Sequence, residues 1–187
     1  MLIDRTTRLR PFCWDYRHVG TAYPRLAAVI FDVDGRSAAP RPGLTELVAS
    51  LLDAGIRIAV ATTGRRASVE PLVRVRALLG DRTVEVMVTG DHPEVYWRAL
   101  SALGVSPKNA VAVEDSAAGL RAATAVGMVA VVVKNGYAAD QDFTGAALVC
   151  SAYDGAEPLR AATLQRVHRD WWTAEHSPPG YAARSTG

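Results

Sequence analysis

Two short apolar runs, each broken off by carboxylates, constrain this chain more than any other feature. Ala27-Ala28-Val29-Ile30-Phe31 runs into Asp32-Val33-Asp34-Gly35, and Ala110-Val111-Ala112-Val113 runs into Glu114-Asp115-Ser116. Short runs of small and β-branched apolar residues read as buried strands. Carboxylates gathered at the ends of two buried parallel strands repel one another, and a divalent cation is the usual way to make such a cluster tolerable. The same arrangement suits phosphoryl chemistry, in which one carboxylate attacks and another moves a proton.

Between and beyond these runs the chain alternates apolar stretches with amphipathic ones. Helices are predicted over Leu44–Ala54, Ser68–Leu79, Pro93–Leu103 and Ala117–Val126, followed by Gly55, Gly80, Gly104 and Gly127 in turn. Strands are predicted over Ile56–Thr62, Val84–Thr89, Ala110–Val113 and Met128–Val133, with a last short one over Ala147–Cys150. Strand–helix alternation of this kind predicts an α/β fold, a Rossmann-like doubly wound parallel sheet with helices on both faces. Ligands in such sheets sit at the carboxyl ends of the strands, where Asp32, Thr62 and Asp115 all fall.

The 187 residues suffice for one well-cored domain. An N-terminal arm over residues 1–26, a core domain over 27–153, a C-terminal helix over 154–176 and a mobile tail over 177–187 form the expected division. The arm carries five arginines among Phe12, Trp14, Tyr16 and Tyr23. The reading favoured for it is an arm that packs its aromatics on the domain, and the net charge of +2 argues against nucleic acid as a partner. Cys13 and Cys150 form no metal-spaced motif and no disulfide framework, so the expected compartment is the cytoplasm. No apolar run approaches the roughly 18 residues of a membrane span.

Asp32 and Asp34, two residues apart at a strand end, would point to one face. Asp-x-Asp-Gly also opens calcium loops, but Ser37, Ala38, Ala39 and Pro40 follow here instead of spaced oxygen ligands. Thr62-Thr63-Gly64 offers a hydroxyl and free backbone N–H groups for a phosphate, or a simple helix cap. Asp115 is placed to hold a metal, or to cap the next helix together with Ser116.

These stretches, taken in order, resemble the haloacid dehalogenase superfamily, in the branch of beta-phosphoglucomutase and the CbbY-type sugar phosphatases. Val29 to Gly35, Gly55 to Thr63 and Val111 to Ala123 carry the resemblance, with Pro93-Glu94-Val95-Tyr96 between them. It covers roughly Ala27 to Ala147. The resemblance implies that Asp32 is the nucleophile of an aspartyl-phosphate mechanism and Asp34 the acid and base. It implies Mg²⁺ held by Asp32, Asp115 and the backbone carbonyl of Asp34, with Glu114 supporting that shell. Thr62, Thr63 and Gly64 would bind the phosphoryl group. A phosphorylated substrate, small or bulky, follows as the partner.

Three departures from the family pattern matter. Arg36 stands where the family has Thr or a small apolar residue. Only Ser37 to Arg41 separate Arg36 from Pro42-Gly43, so the family's inserted helical lid has no counterpart and the site is expected to be open. The family's lysine before Pro93 is missing, a loss that removes transition-state charge stabilisation. Arg36, Arg65, Arg66, His92 and Lys134 are the candidates to replace it. The expected function is a lidless Mg²⁺-dependent phosphatase of reduced activity. The alternative is a catalytically degenerate relative that binds a protein partner through the N-terminal arm or the C-terminal helix.

Overall fold

The computed structural model describes residues 23–32, 41–62, 84–89, 93–136 and 140–175. Most of the expected arm, the tail and the helix expected over Ser68–Leu79 lie outside these residues. The elements in chain order are β1 (Ala28–Asp32), α1 (Leu44–Asp53), β2 (Arg57–Thr62), β3 (Val86–Thr89), α2 (Glu94–Leu103), β4 (Ala110–Glu114), α3 (Ala117–Ala125), β5 (Val129–Val133), β6 (Leu148–Cys150) and α4 (Ala161–Glu175). The six strands form one sheet in the order β3-β2-β1-β4-β5-β6. Every neighbouring pair is parallel.

An alternation of small and branched apolar residues explains how this sheet is covered on both sides. In β1, β2, β4 and β5, Val29, Phe31, Ile58, Val60, Val111, Val113, Val129 and Val131 pack into one cluster, with Leu47 and Leu51 of α1 and Leu164 of α4. Their neighbours Ala28, Ile30, Ala59, Ala61, Ala110, Ala112 and Ala130 face the other way, against Val95, Tyr96 and Leu100 of α2 and Leu120 of α3. Period-2 geometry thus gives the sheet a branched face and a mostly alanine face. The alanine face leaves space over the sheet for larger side chains from the helices, Tyr96 among them.

Helix boundaries follow local chemistry. Gly43, in the left-handed region at φ 83°, precedes α1, and Gly104 at φ 62° closes α2. A Cβ on Gly43 would lie 2.8 Å from the backbone nitrogen of Asp154, so the start of α1 packs directly on the chain after β6. Arg41 ties the same region together. Its guanidinium donates to the carbonyl of Val133 at 2.9 Å and to that of Lys134, and lies 5.1 Å from the Tyr153 ring centroid.

The C-terminal helix is shorter than expected, beginning at Ala161 and not at 154. Pro158 biases Glu157 away from helical backbone. The Leu159 N–H instead bonds the Tyr153 carbonyl at 2.8 Å, closing a turn. The Ser50 hydroxyl of α1 then accepts the N–H of Ala161 at 2.9 Å, so α1 caps the start of α4.

Candidate functional site

The strand order creates a topological switch at the centre of the sheet. The chain passes from β1 to β2 and β3 on one side, then crosses to β4 on the other. Open parallel sheets bind ligands outside the carboxyl ends of the strands at such a point. Asp32 is the last residue of β1 and Glu114 the last of β4. Phe31 pairs with Val113, so the two acids follow side by side. By parity with Ile30 and Ala112, both lie on the alanine face.

Asp32, Glu114 and Asp115 each offer a carboxylate oxygen, and these oxygens lie within 4.8 Å of one another. Glu114 is almost wholly buried. Burial pushes its carboxyl well above the usual glutamate range, and the neighbouring charges of Asp32 and Asp115 push it the same way. The backbone N–H groups of Asp115 and Ser116 act against this more weakly. The Tyr96 hydroxyl donates to Glu114 Oε1, whereas no hydrogen bond of good geometry among the described residues reaches Oε2. Three hard oxygen donors of like charge, one of them carrying a buried oxygen without a donor, fit a hard divalent cation.

Glycine at 119 makes room for this carboxylate. A Cβ there would lie 1.8 Å from Glu114 Oε2 and 2.3 Å from Oε1. The spacing Glu114-x-x-x-x-Gly119 therefore has a steric cause: α3 crosses directly over the acid that closes β4.

Of the two residues expected at the start of α3, Ser116 supplies a side-chain cap. Ser116 caps α3, its hydroxyl accepting the Gly119 N–H at 3.0 Å. The Gln141 side chain accepts the Ala117 N–H at 2.7 Å. Asp115 faces the acid cluster, and its Oδ2 accepts from the Asn135 side-chain amide at 2.9 Å. Asn135 lies two residues past β5, the strand next to β4. Asn135 does not stand out in the sequence, and Tyr96 enters there only as the end of Pro93-Glu94-Val95-Tyr96, without a role; their contacts with the acids come from the strand order and the docking of α2.

The other expected site residues are distributed as follows. Thr62 ends β2, its backbone in register with Thr89 of β3. Asp34, Thr63 and Gly64 lie outside the described residues, as do Arg36, Arg65, Arg66 and His92. Lys134, the remaining candidate cation, directly follows β5 and holds its Nζ 5.6 Å from the Phe143 ring centroid. Among the described residues no helix is long and apolar enough to cross a membrane.

A family model described as haloacid dehalogenase-like hydrolase matches residues 18–127. Protein CbbY of Cereibacter sphaeroides is 42% identical over 116 residues, which are 57% of this chain and 50% of that protein. The crystal structure of CbbY from Rhodobacter sphaeroides in complex with phosphate is 36% identical, with a TM-score of 0.58, over 65% of this chain and 57% of that one. A mutant form of that protein in complex with xylulose-1,5-bisphosphate is 35% identical, with a TM-score of 0.58, over 66% and 59%. The chain spans between 35% and 54% of the length of the curated relatives it matches.

Two outcomes are expected from this geometry. Gly119→Ala destabilises the fold by about 1–3 kcal/mol in urea unfolding, and the loss shrinks when Glu114→Ala removes the opposing carboxylate. A loss of equal size in both backgrounds would contradict the close approach. The second outcome concerns pH. In the folded state Glu114 holds its proton to higher pH than in the unfolded chain, so between the two values the folded protein binds more protons. Without added metal, stability then falls as pH rises from about 4.5 through the raised value. Glu114→Gln flattens that decline; an unchanged slope would contradict it.

Proposed function

The chain belongs to the haloacid dehalogenase-like hydrolase family, and on that premise we propose that it is a Mg²⁺-dependent phosphatase hydrolysing phosphoric monoesters through an aspartyl-phosphate on Asp32. The observation that carries this reading is the meeting of Asp32, Glu114 and Asp115 within 4.8 Å at the ends of two adjacent central strands. Such a cluster is costly in a folded protein unless it serves a cation or a reaction.

In the proposed mechanism a carboxylate oxygen of Asp32 forms a bond to phosphorus as the bond to the leaving alcohol oxygen breaks. Asp34 gives its proton to that oxygen. Asp34 then takes a proton from water, which attacks phosphorus, releases inorganic phosphate and restores the Asp32 carboxylate. Thr62, with the backbone N–H groups of Thr63 and Gly64, would hold the phosphoryl oxygens through both steps. Asp32, Glu114, Asp115 and the backbone carbonyl of Asp34 would hold the Mg²⁺. When bound, the ion supplies positive charge against the carboxylates and the phosphoryl group.

A phosphorylated sugar is the first substrate class to try, on the strength of the CbbY complex with xylulose-1,5-bisphosphate. The short link from Ser37 to Arg41 leaves no length for a helical lid. The site would then be open, able to accept a bulky phosphoester or to be covered by a protein partner meeting the arm or the C-terminal helix. The missing lysine before Pro93 favours a second reading, a relative that keeps the site for binding and not for turnover.

Hydrolysis of an aryl phosphate with and without Mg²⁺ separates the two. The phosphatase reading predicts Mg²⁺-dependent turnover that drops to the buffer background in Asp32→Asn, with a loss of roughly 100- to 10,000-fold in Asp34→Asn. Equal background in wild type and Asp32→Asn, with both folded, would select the binding reading instead.

A further inference from the structure

Next to the acid cluster stands a buried hydroxyl that the proposed reaction does not use. Tyr96 lies in the first turn of α2 with no exposed surface. The rest of the buried side of α2 is apolar: Val95, Ala99, Leu100 and Leu103. Phenylalanine would pack there equally well, and a buried hydroxyl is unfavourable unless it is bonded. The hydroxyl of Tyr96 is bonded to Glu114 Oε1.

That bond completes the confinement of Glu114. Its Cα is fixed at the end of β4, between β1 and β5. The Cα of Gly119 presses against the carboxylate from α3, where even a methyl group would clash. Tyr96 holds one oxygen from α2. The other oxygen, Oε2, is buried and no hydrogen bond of good geometry among the described residues reaches it. The carboxylate so confined offers an oxygen within 4.8 Å of carboxylate oxygens of Asp32 and Asp115, so its position is set before any ion arrives.

We propose that Tyr96 is a positioning residue for the cation site, its hydroxyl holding the Glu114 carboxylate in place to share a divalent ion with Asp32 and Asp115. The inference rests on the metal-site reading of Asp32, Glu114 and Asp115. It adds that metal affinity depends on the hydroxyl of a residue that touches neither ion nor substrate. Helix α2 becomes part of the site through that hydroxyl.

The test is Mn²⁺ binding to the full chain, followed by the loss of the free-ion electron paramagnetic resonance signal. Wild type is compared with Tyr96→Phe, Glu114→Ala and the double variant, each checked for an intact urea transition. The expected result is a dissociation constant roughly 10-fold or more higher in Tyr96→Phe. In the Glu114→Ala background, where there is no carboxylate to position, the same change has no effect on affinity. Wild-type affinity in Tyr96→Phe would overturn the role of the hydroxyl and leave the metal site standing. A loss of equal size in the Glu114→Ala background would also overturn it, since Tyr96 would then act through general packing. Failure of the wild type itself to bind Mn²⁺ would overturn the metal-site reading and this inference with it.

Discussion

The repulsion among Asp32, Glu114 and Asp115 is the constraint around which the rest of this structure is arranged. Like charges about 4 Å apart repel by roughly 4 kcal/mol at the effective dielectric of a protein surface. That is a sizeable share of the roughly 5–15 kcal/mol that holds a domain together. The chain meets this load in several ways at once. Glu114 takes up a proton more readily than an ordinary glutamate. Tyr96 donates to it, and Asn135 donates to Asp115. The remaining charge is what the proposed divalent cation would neutralise.

The scaffold that carries this burden is stiff by construction. Valine and isoleucine on one face of the sheet pack against α1 and α4, while alanine on the other face leaves space for α2 and α3. Both acids at the strand ends fall on the alanine side, where a tyrosine from α2 and a glycine from α3 close over Glu114. Alanine in the strands, glycine at 119 and tyrosine at 96 are thus parts of one solution. Larger strand residues on that face would push α2 outward and carry the Tyr96 hydroxyl away from the carboxylate.

Much of this was legible in the sequence because it is written in local patterns. The apolar runs, the glycines after helices and the break from Val113 to Glu114-Asp115 located the strands, most helix ends and the three acids. What escaped depends on contacts distant in the chain. Strand alternation alone announces a parallel sheet without its order; that Asp32 and Glu114 would meet is expected from the shared carboxylate pattern and the family resemblance, and the placing of β4 beside β1 is how they do so. The contacts around Asp115, with Ser116 capping α3 and Asn135 donating to Oδ2, are likewise not readable from the local sequence. The late start of α4 turns on Pro158 and on a hydroxyl from α1, and only the first of these is visible locally.

Thermal unfolding of the full chain across a series of Mg²⁺ concentrations decides whether the acid cluster of Asp32, Glu114 and Asp115 binds a divalent cation. A single cation site gives a midpoint that climbs with Mg²⁺, a stabilisation of about 2.7 kcal/mol once the ion reaches 100 times its dissociation constant. Asp115→Asn, which removes one of the three charges, weakens that response. A midpoint indifferent to Mg²⁺ in the wild type, or a response that survives unchanged in Asp115→Asn, would contradict binding there.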